Sequence, residues 1–254
     1  MDRLLAISKL ENFSEYEAAV FSIQASTDTS LFDAALELLL SELPDERCTA
    51  IEVIAQFGSI SAERRWEVLQ HQLLSERDPG VVATIVSSLK FTAPSPRVHA
   101  EVLAKLLGSP ETEILAEILK EFPRELGYSI VDQVVGLSAH EDDDVSFWAC
   151  DMLADVGSGD SEEIRCALLR RIERSPGCEE PYVGLAIRKD VRLIPLLTER
   201  LQSYAVRPSL LKAVEVWPQE SYIAALDSQI RWWQDLIASA EICISLCRQD
   251  HAQE

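Results

Sequence analysis

The residues best suited to chemistry lie in one stretch, HEDDDVSFWACDMLADVGSGDSEE, from His140 to Glu163. A histidine and four consecutive acids open it, five further carboxylates follow, and it holds no lysine or arginine. Side chains of these types at this density can ligate a divalent cation, share protons in catalysis, or receive a cationic partner. The run Asp142-Asp143-Asp144 is a weak calcium or magnesium candidate, because it lacks the alternating ligands and central glycine of an EF-hand loop. A plainer role competes with all of these. Acids stabilise the positive end of a helix, and His140 would then begin the turn that leads into one.

Other chemistry has little to stand on. There is no GxSxG elbow, Walker A loop or GxGxxG, and nine glycines in all leave little phosphate-cradling backbone. Six cysteines, at positions 48, 150, 166, 178, 243 and 247, sit in apolar or helical surroundings and read as small buried hydrophobes of a reducing compartment. Cys243 and Cys247 are one helical turn apart, but no second Cys/His pair at zinc spacing accompanies them. No cofactor and no metal is expected, and no catalytic constellation appears.

The elements that position these residues emerge when the chain is cut at its turns. LPDERCTAIEVIAQFGS, RDPGVVATIVSSLKFTA, SPETEILAEILKEFPRE and DDDVSFWACDMLADVGS share one plan. Each starts with a Pro/Asp/Glu-rich turn and continues as an amphipathic helix with a central apolar pair and a terminal anchor. The pairs are Val53-Ile54, Ile85-Val86, Ile118-Leu119 and Met152-Leu153; the anchors are Phe57, Leu89, Phe122 and Val156. Two weaker copies end near Ile187 and Trp217. Between these second helices lie first helices such as SLFDAALELLLSE, SAERRWEVLQHQLLSE and SPRVHAEVLAKLLG. Ser30, Ser61, Ser95 and Ser161 stand where N-caps are wanted, and Pro44, Pro79 and Pro110 suit turns or first helical turns. Strand signals are nearly absent. The prediction is an all-α right-handed solenoid of about six to seven helical hairpins, with a helical cap over 1–27, repeats over 28–218 and capping helices over 219–254.

The segments DDDVSFWACDMLADVG and YVGLAIRKDVRLIPLLTERLQ resemble the HEAT-like repeat family, in the short bacterial form of phycobilin-lyase-type repeats. The resemblance implies that Asp190 and Arg192 stand at an inter-repeat turn and that the second helices line a concave binding face. His140-Glu141 is similar to the His-Glu dyads with which deoxyhypusine hydroxylase, another HEAT-like protein, holds two irons. That enzyme needs several dyads and this chain has one, since His71, His99 and His251 lack the following glutamate.

Aligning the second helices on their apolar pairs places Glu52, Thr84, Glu117 and Asp151 in one column. Gln56, Ser88, Glu121 and Asp155, four residues later, fall on the same helix face. With Asp142, Asp143 and Asp144, these carboxylates would make an acidic groove, edged by Trp148 and Tyr182. Trp232 and Trp233 are adjacent on one helix and cannot both enter the same core. The net charge of −20 repels phosphate backbones, counts against HEAT-like DNA glycosylase activity and favours a basic protein partner.

The expected function is therefore non-enzymatic capture of a basic protein, most specifically by an immunity protein neutralising a cationic, nuclease-like toxin domain. The alternatives are a lyase-like or chaperone-like accessory that loads a cofactor onto a client, with Cys150 and Cys178 as its only reactive candidates, and a plain structural adaptor. No apolar run approaches the roughly 18 residues of a membrane span, and no secretory signal is visible, so the expectation is a cytoplasmic protein, monomeric when unbound, that touches neither membrane nor nucleic acid.

Overall fold

The computed structural model describes residues 2–10, 12–155, 159–203 and 206–250, and within them the regular structure is helical throughout. Two short helices, α1 (Asp2–Ile7) and α2 (Phe13–Gln24), come first. Hairpins follow: α3 (Ser30–Leu38) with α4 (Pro44–Gln56), α5 (Ala62–Ser75) with α6 (Pro79–Leu89), and α7 (Pro96–Leu106) with α8 (Thr112–Glu121). A 3-10 segment (Arg124–Ile130) leads into α9 (Val131–Leu137) and then α10 (Asp143–Ala154). The chain continues as α11 (Glu162–Arg174), α12 (Glu180–Ile187), α13 (Leu193–Leu201), α14 (Pro208–Val216) and the long α15 (Ile223–Asp250). Every helix read from the apolar period is present. The helices divide into two compact units, residues 1–152 and 153–254.

Packing follows from which side chains the period places inward. In the first unit the second helices α4, α6 and α8 pack side by side, each backed by its own first helix. The pairs Val53-Ile54, Ile85-Val86 and Ile118-Leu119 are all fully buried, and the anchors Phe57, Leu89 and Phe122 are at most 2% exposed. Phe57 also meets Phe32 of α3, ring centres 5.7 Å apart, tying one hairpin together. Val156, the fourth anchor, lies outside the described residues. In the second unit α12 and α14 stack side by side, and α12 also packs on α11 and α13. Gly184 lets α12 approach closely: a Cβ there would stand 2.7 Å from Ala154 Cα and 3.0 Å from Leu168 Cδ1.

Turn chemistry explains where the helices begin. The hydroxyls of Ser61, Ser95 and Ser161 accept from backbone N–H groups three residues on, as expected of N-caps. Pro44 and Pro79 occupy first-turn positions, where their missing N–H costs nothing. Ser30 departs from expectation: Thr29 holds the cap position and Ser30 is already helical, its N–H and hydroxyl both bonded to Asp28. The cysteines also depart in part. Cys150 is buried, but Cys166 and Cys243 are exposed, because a helical context alone does not say which face a residue takes.

Candidate functional site

The acids that open the His140 stretch build a helix start. Asp142 Oδ1 accepts from the N–H groups of Asp144 and Val145, and His140 Nδ1 accepts from Asp142 N–H at 3.0 Å. Both acceptors serve the turn into α10 and its start, as side-chain acceptors at an N-terminus should. Among the described residues no three His, Cys, Asp or Glu side chains are grouped as a metal site would need.

The lack of bases inside the stretch does not leave its carboxylates uncompensated. Arg124 donates to Asp151 at 2.6 Å, Arg165 pairs with Asp160 at 2.7 Å and Arg192 with Glu162 at 2.6 Å. Each cation comes from outside the run of acids. Asp190 and Arg192 do occupy the turn between α12 and α13. Asp190, 2% exposed, accepts from the backbone and guanidinium of Arg192, and these bonds hold its carboxyl below the usual range against the opposing cost of burial.

The two polar columns do converge. In the first unit, α4, α6 and α8 turn Glu52, Gln56, Ser88, Glu117 and Glu121 into one cleft of about 470 Å³. Five of the six column positions on these three helices line it, Thr84 being the exception. Helix α2, packed on α4, closes one end with Tyr16, Glu17, Val20 and Phe21. The Tyr16 hydroxyl donates to Glu52 Oε2 at 2.8 Å, and Thr49 Oγ1 lies within hydrogen-bond distance of the Tyr16 hydroxyl oxygen at 3.3 Å. Burial raises the Tyr16 phenol, and the facing Glu52 carboxylate pushes it the same way. Burial likewise raises the Glu52 carboxyl, opposed by the hydrogen bond from Tyr16.

The cleft is of mixed charge, which corrects the expectation of a purely acidic groove. Lys90 pairs with Glu121 at 2.9 Å and Lys120 with Glu117 at 3.3 Å, and both lysines line the space. Four carboxylates therefore face two ammonium groups. The lysine side chains remain 42% and 46% exposed, whereas Glu121 and Glu117 are 9% and 19% exposed. The carboxylates are fixed in the wall, and the lysines reach them from the rim. Lys90 also sits 5.2 Å from the centre of the Phe91 ring, and Phe91 and Phe21 are large exposed aromatics of the same cleft.

At the floor stands Ser88, 3% exposed. Its backbone carbonyl accepts from Phe91 N–H at 3.2 Å.

Other expected site residues fall elsewhere. Asp151 belongs to the first unit but does not line the cleft, and Asp155 belongs to the second unit. Asp142, Asp143 and Asp144 form the α10 start described above. Trp148 is half-buried with its ring edge-on to Phe147, centroids 5.0 Å apart. Tyr182, expected to edge a groove, is 2% exposed, its hydroxyl donating to the Pro176 carbonyl at 3.4 Å. It packs inward because the α12 face it occupies is the one that meets its neighbours. Sequence reasoning missed Tyr16, Lys90 and Lys120. Their partners lie 31 or more residues away for Tyr16 and Lys90, and only three away for Lys120.

Comparison with solved structures decides the fold. YibA of Escherichia coli overlays with a TM-score of 0.73 at 15% identity, covering 91% of this chain and 86% of that one. The chain has a HEAT-like helical-repeat fold. Two engineered proteins, at 17% and 18% identity, give TM-scores of 0.45 and 0.39; the alignments cover 89% of this chain in each case, and 71% and 96% of theirs. No family model matches the chain, and no curated protein matches its sequence. Among the described residues no helix is long and apolar enough to cross a membrane.

Proposed function

We propose that the chain is a non-enzymatic, protein-binding HEAT-like repeat whose first-unit cleft receives a basic segment of a partner. The observation that carries this reading is the convergence of Glu52, Glu117 and Glu121 on one cleft. Lys90 and Lys120 then act as resident cations that a partner's arginine or lysine displaces. Their exposure makes this exchange inexpensive, since rim ion pairs contribute only about 0–1 kcal/mol. The charge of −20 supports the same partner class, because a field of that sign speeds the approach of cations.

The narrower form is neutralisation of a cationic, nuclease-like toxin domain by an immunity protein of the cytoplasm. Its support is the charge and the fold class, and fold alone does not specify function. The likeness to phycobilin-lyase-type repeats gains no comparable observation: Cys150 is 1% exposed, and Cys178 lies against Arg171, 3.4 Å from Nη2.

The test is capture from cell lysate on immobilised protein at low salt, read by mass spectrometry. Retention of a cationic protein, released by raised salt and lost when Glu52, Glu117 and Glu121 are changed to glutamine, is the expected result. Retention indifferent to those three carboxylates would sink the reading.

A further inference from the structure

The last helix has a surface that its own unit does not cover. In α15, Ile223, Ile230, Ile237 and Ile244 recur every seven residues and are 54%, 47%, 59% and 50% exposed. Leu226, Trp233 and Ala240 stand three residues after the first three of these. This is the a/d pattern of a coiled coil, with β-branched isoleucine at every a position, sustained over three heptads from 223 to 244. The face that α15 turns toward its own unit is a different one, marked by Ala225 and Gln229, 1% and 4% exposed, with Gln229 Nε2 bonded to the Ser203 carbonyl.

We infer that α15 pairs in parallel with α15 of a second copy along this isoleucine seam. A 3.5-residue seam is self-complementary, and isoleucine at a with leucine at d, as at Ile223 and Leu226, favours two strands. The seam residues with Leu236 expose roughly 500 Å² of apolar surface per copy, so two copies bury at most about 1,000 Å², the lower threshold for a specific interface. Charge sets the orientation. The e positions hold Asp227, Gln234 and Glu241, and the exposed g positions hold Leu236 and Cys243, Gln229 being turned to its own unit. In antiparallel order e faces e, which sets Asp227 against Glu241 of the second copy. In parallel order e faces g, and no acid meets an acid. A lipid surface is the poorer occupant, since interfacial helices carry basic polar faces and this one presents Asp227, Asp235 and Glu241 against Arg231.

This pairing is independent of the cleft and stands or falls on its own experiment. Sedimentation equilibrium of the full chain in reductant, from 1 to 100 µM, should give twice the 28.4 kDa chain mass. The double change Ile230→Glu and Ile237→Glu should return the single-chain mass with an unchanged helical circular dichroism spectrum, whereas Ser239→Glu, off the seam, should leave the dimer intact. As a second measurement, with Cys243 and Cys247 changed to serine, Ala240→Cys should cross-link two copies on mild oxidation far faster than Ser239→Cys. A single-chain mass at 100 µM, a dimer that survives both glutamates, equal cross-linking of the two cysteine variants, or vesicle binding by a chain that stays single would each overturn the inference.

Discussion

Glu76 is the residue whose removal should most clearly loosen the wall of the cleft. It caps the end of α5, one turn before α6 begins, and its carboxylate receives five hydrogen bonds. Arg47 of α4 donates through Nε at 2.9 Å and Nη2 at 3.0 Å, the backbone of Arg77 and Asp78 at 2.9 and 3.0 Å, and Gln72 at 3.0 Å. Arg47 is thereby fixed between α4 and the turn that starts α6. The side chains are 13% and 6% exposed, so solvent screens the pair little. Burial by itself raises the Glu76 carboxyl, but the Arg47 guanidinium and the backbone donors overcome it and hold the group down at about 2, from an ordinary 4.5. At 1.36 kcal/mol per unit, that difference corresponds to about 3 kcal/mol of stability at neutral pH. Because the folded value is depressed, the contribution is fully present above about pH 4.5 and is lost as pH falls toward 2. Glu76→Gln should therefore cost about 3 kcal/mol in urea unfolding at pH 7, and the gap to the parent chain should close steadily between pH 4.5 and 2. A cost below about 1 kcal/mol at pH 7, or one that does not change across that window, would refute the linkage argument.

Further outcomes follow from other contacts. Gly184→Ala should destabilise the second unit by about 1–3 kcal/mol or prevent its folding, since the new methyl meets Ala154 backbone at 2.7 Å; thermal unfolding reads this directly. Lys189→Gly should stabilise by about 1 kcal/mol, because Lys189 closes α12 at φ 51° and a side chain there is strained; the same unfolding measurement decides it. Changing Lys90 and Lys120 to methionine should tighten binding of an arginine-rich peptide by up to about fivefold per lysine, seen by fluorescence anisotropy, because each removes a resident competitor. Weaker binding in that variant would mean that the lysines contact the ligand rather than give way to it.

Much of this molecule is legible in its sequence, and the limits are physical. The 3.6-residue period of apolar side chains finds the helices because each must bury one stripe, which is why Phe57, Leu89 and Phe122 could be named before any packing was known. The same period places Glu52, Gln56, Ser88, Glu117 and Glu121 on one face, and stacking then brings them to one cleft. Charge balance is different. Whether Asp151 is paired depends on where Arg124 swings after 27 residues of chain, and no helical period encodes that. The same holds for Lys90 and Glu121, one repeat apart, and for Tyr16, which reaches Glu52 from outside the repeats altogether. Tyr182 shows the reverse error: an aromatic rich in binding potential was spent on packing. A count of acids along a segment therefore describes composition, and only the folded neighbours determine which carboxylates remain for a ligand.

The proposed cleft acts through the position of its acids rather than through total charge, and one comparison separates the two. Binding of a fluorescein-labelled nona-arginine peptide should be measured at 20 and 200 mM salt for the parent chain and two variants of equal charge. One carries Glu52, Glu117 and Glu121 changed to glutamine. The other carries the same change at Glu37, Glu63 and Glu101, exposed acids on the first helices α3, α5 and α7. The cleft variant should lose at least tenfold in affinity, at roughly 0.5–1 kcal/mol for each of three half-buried carboxylates, and much of its salt dependence. The first-helix variant should stay within about twofold of the parent, as exposed charges contribute little. Equal losses in the two variants, or none in either, would contradict the claim that the cleft is where a basic partner is held.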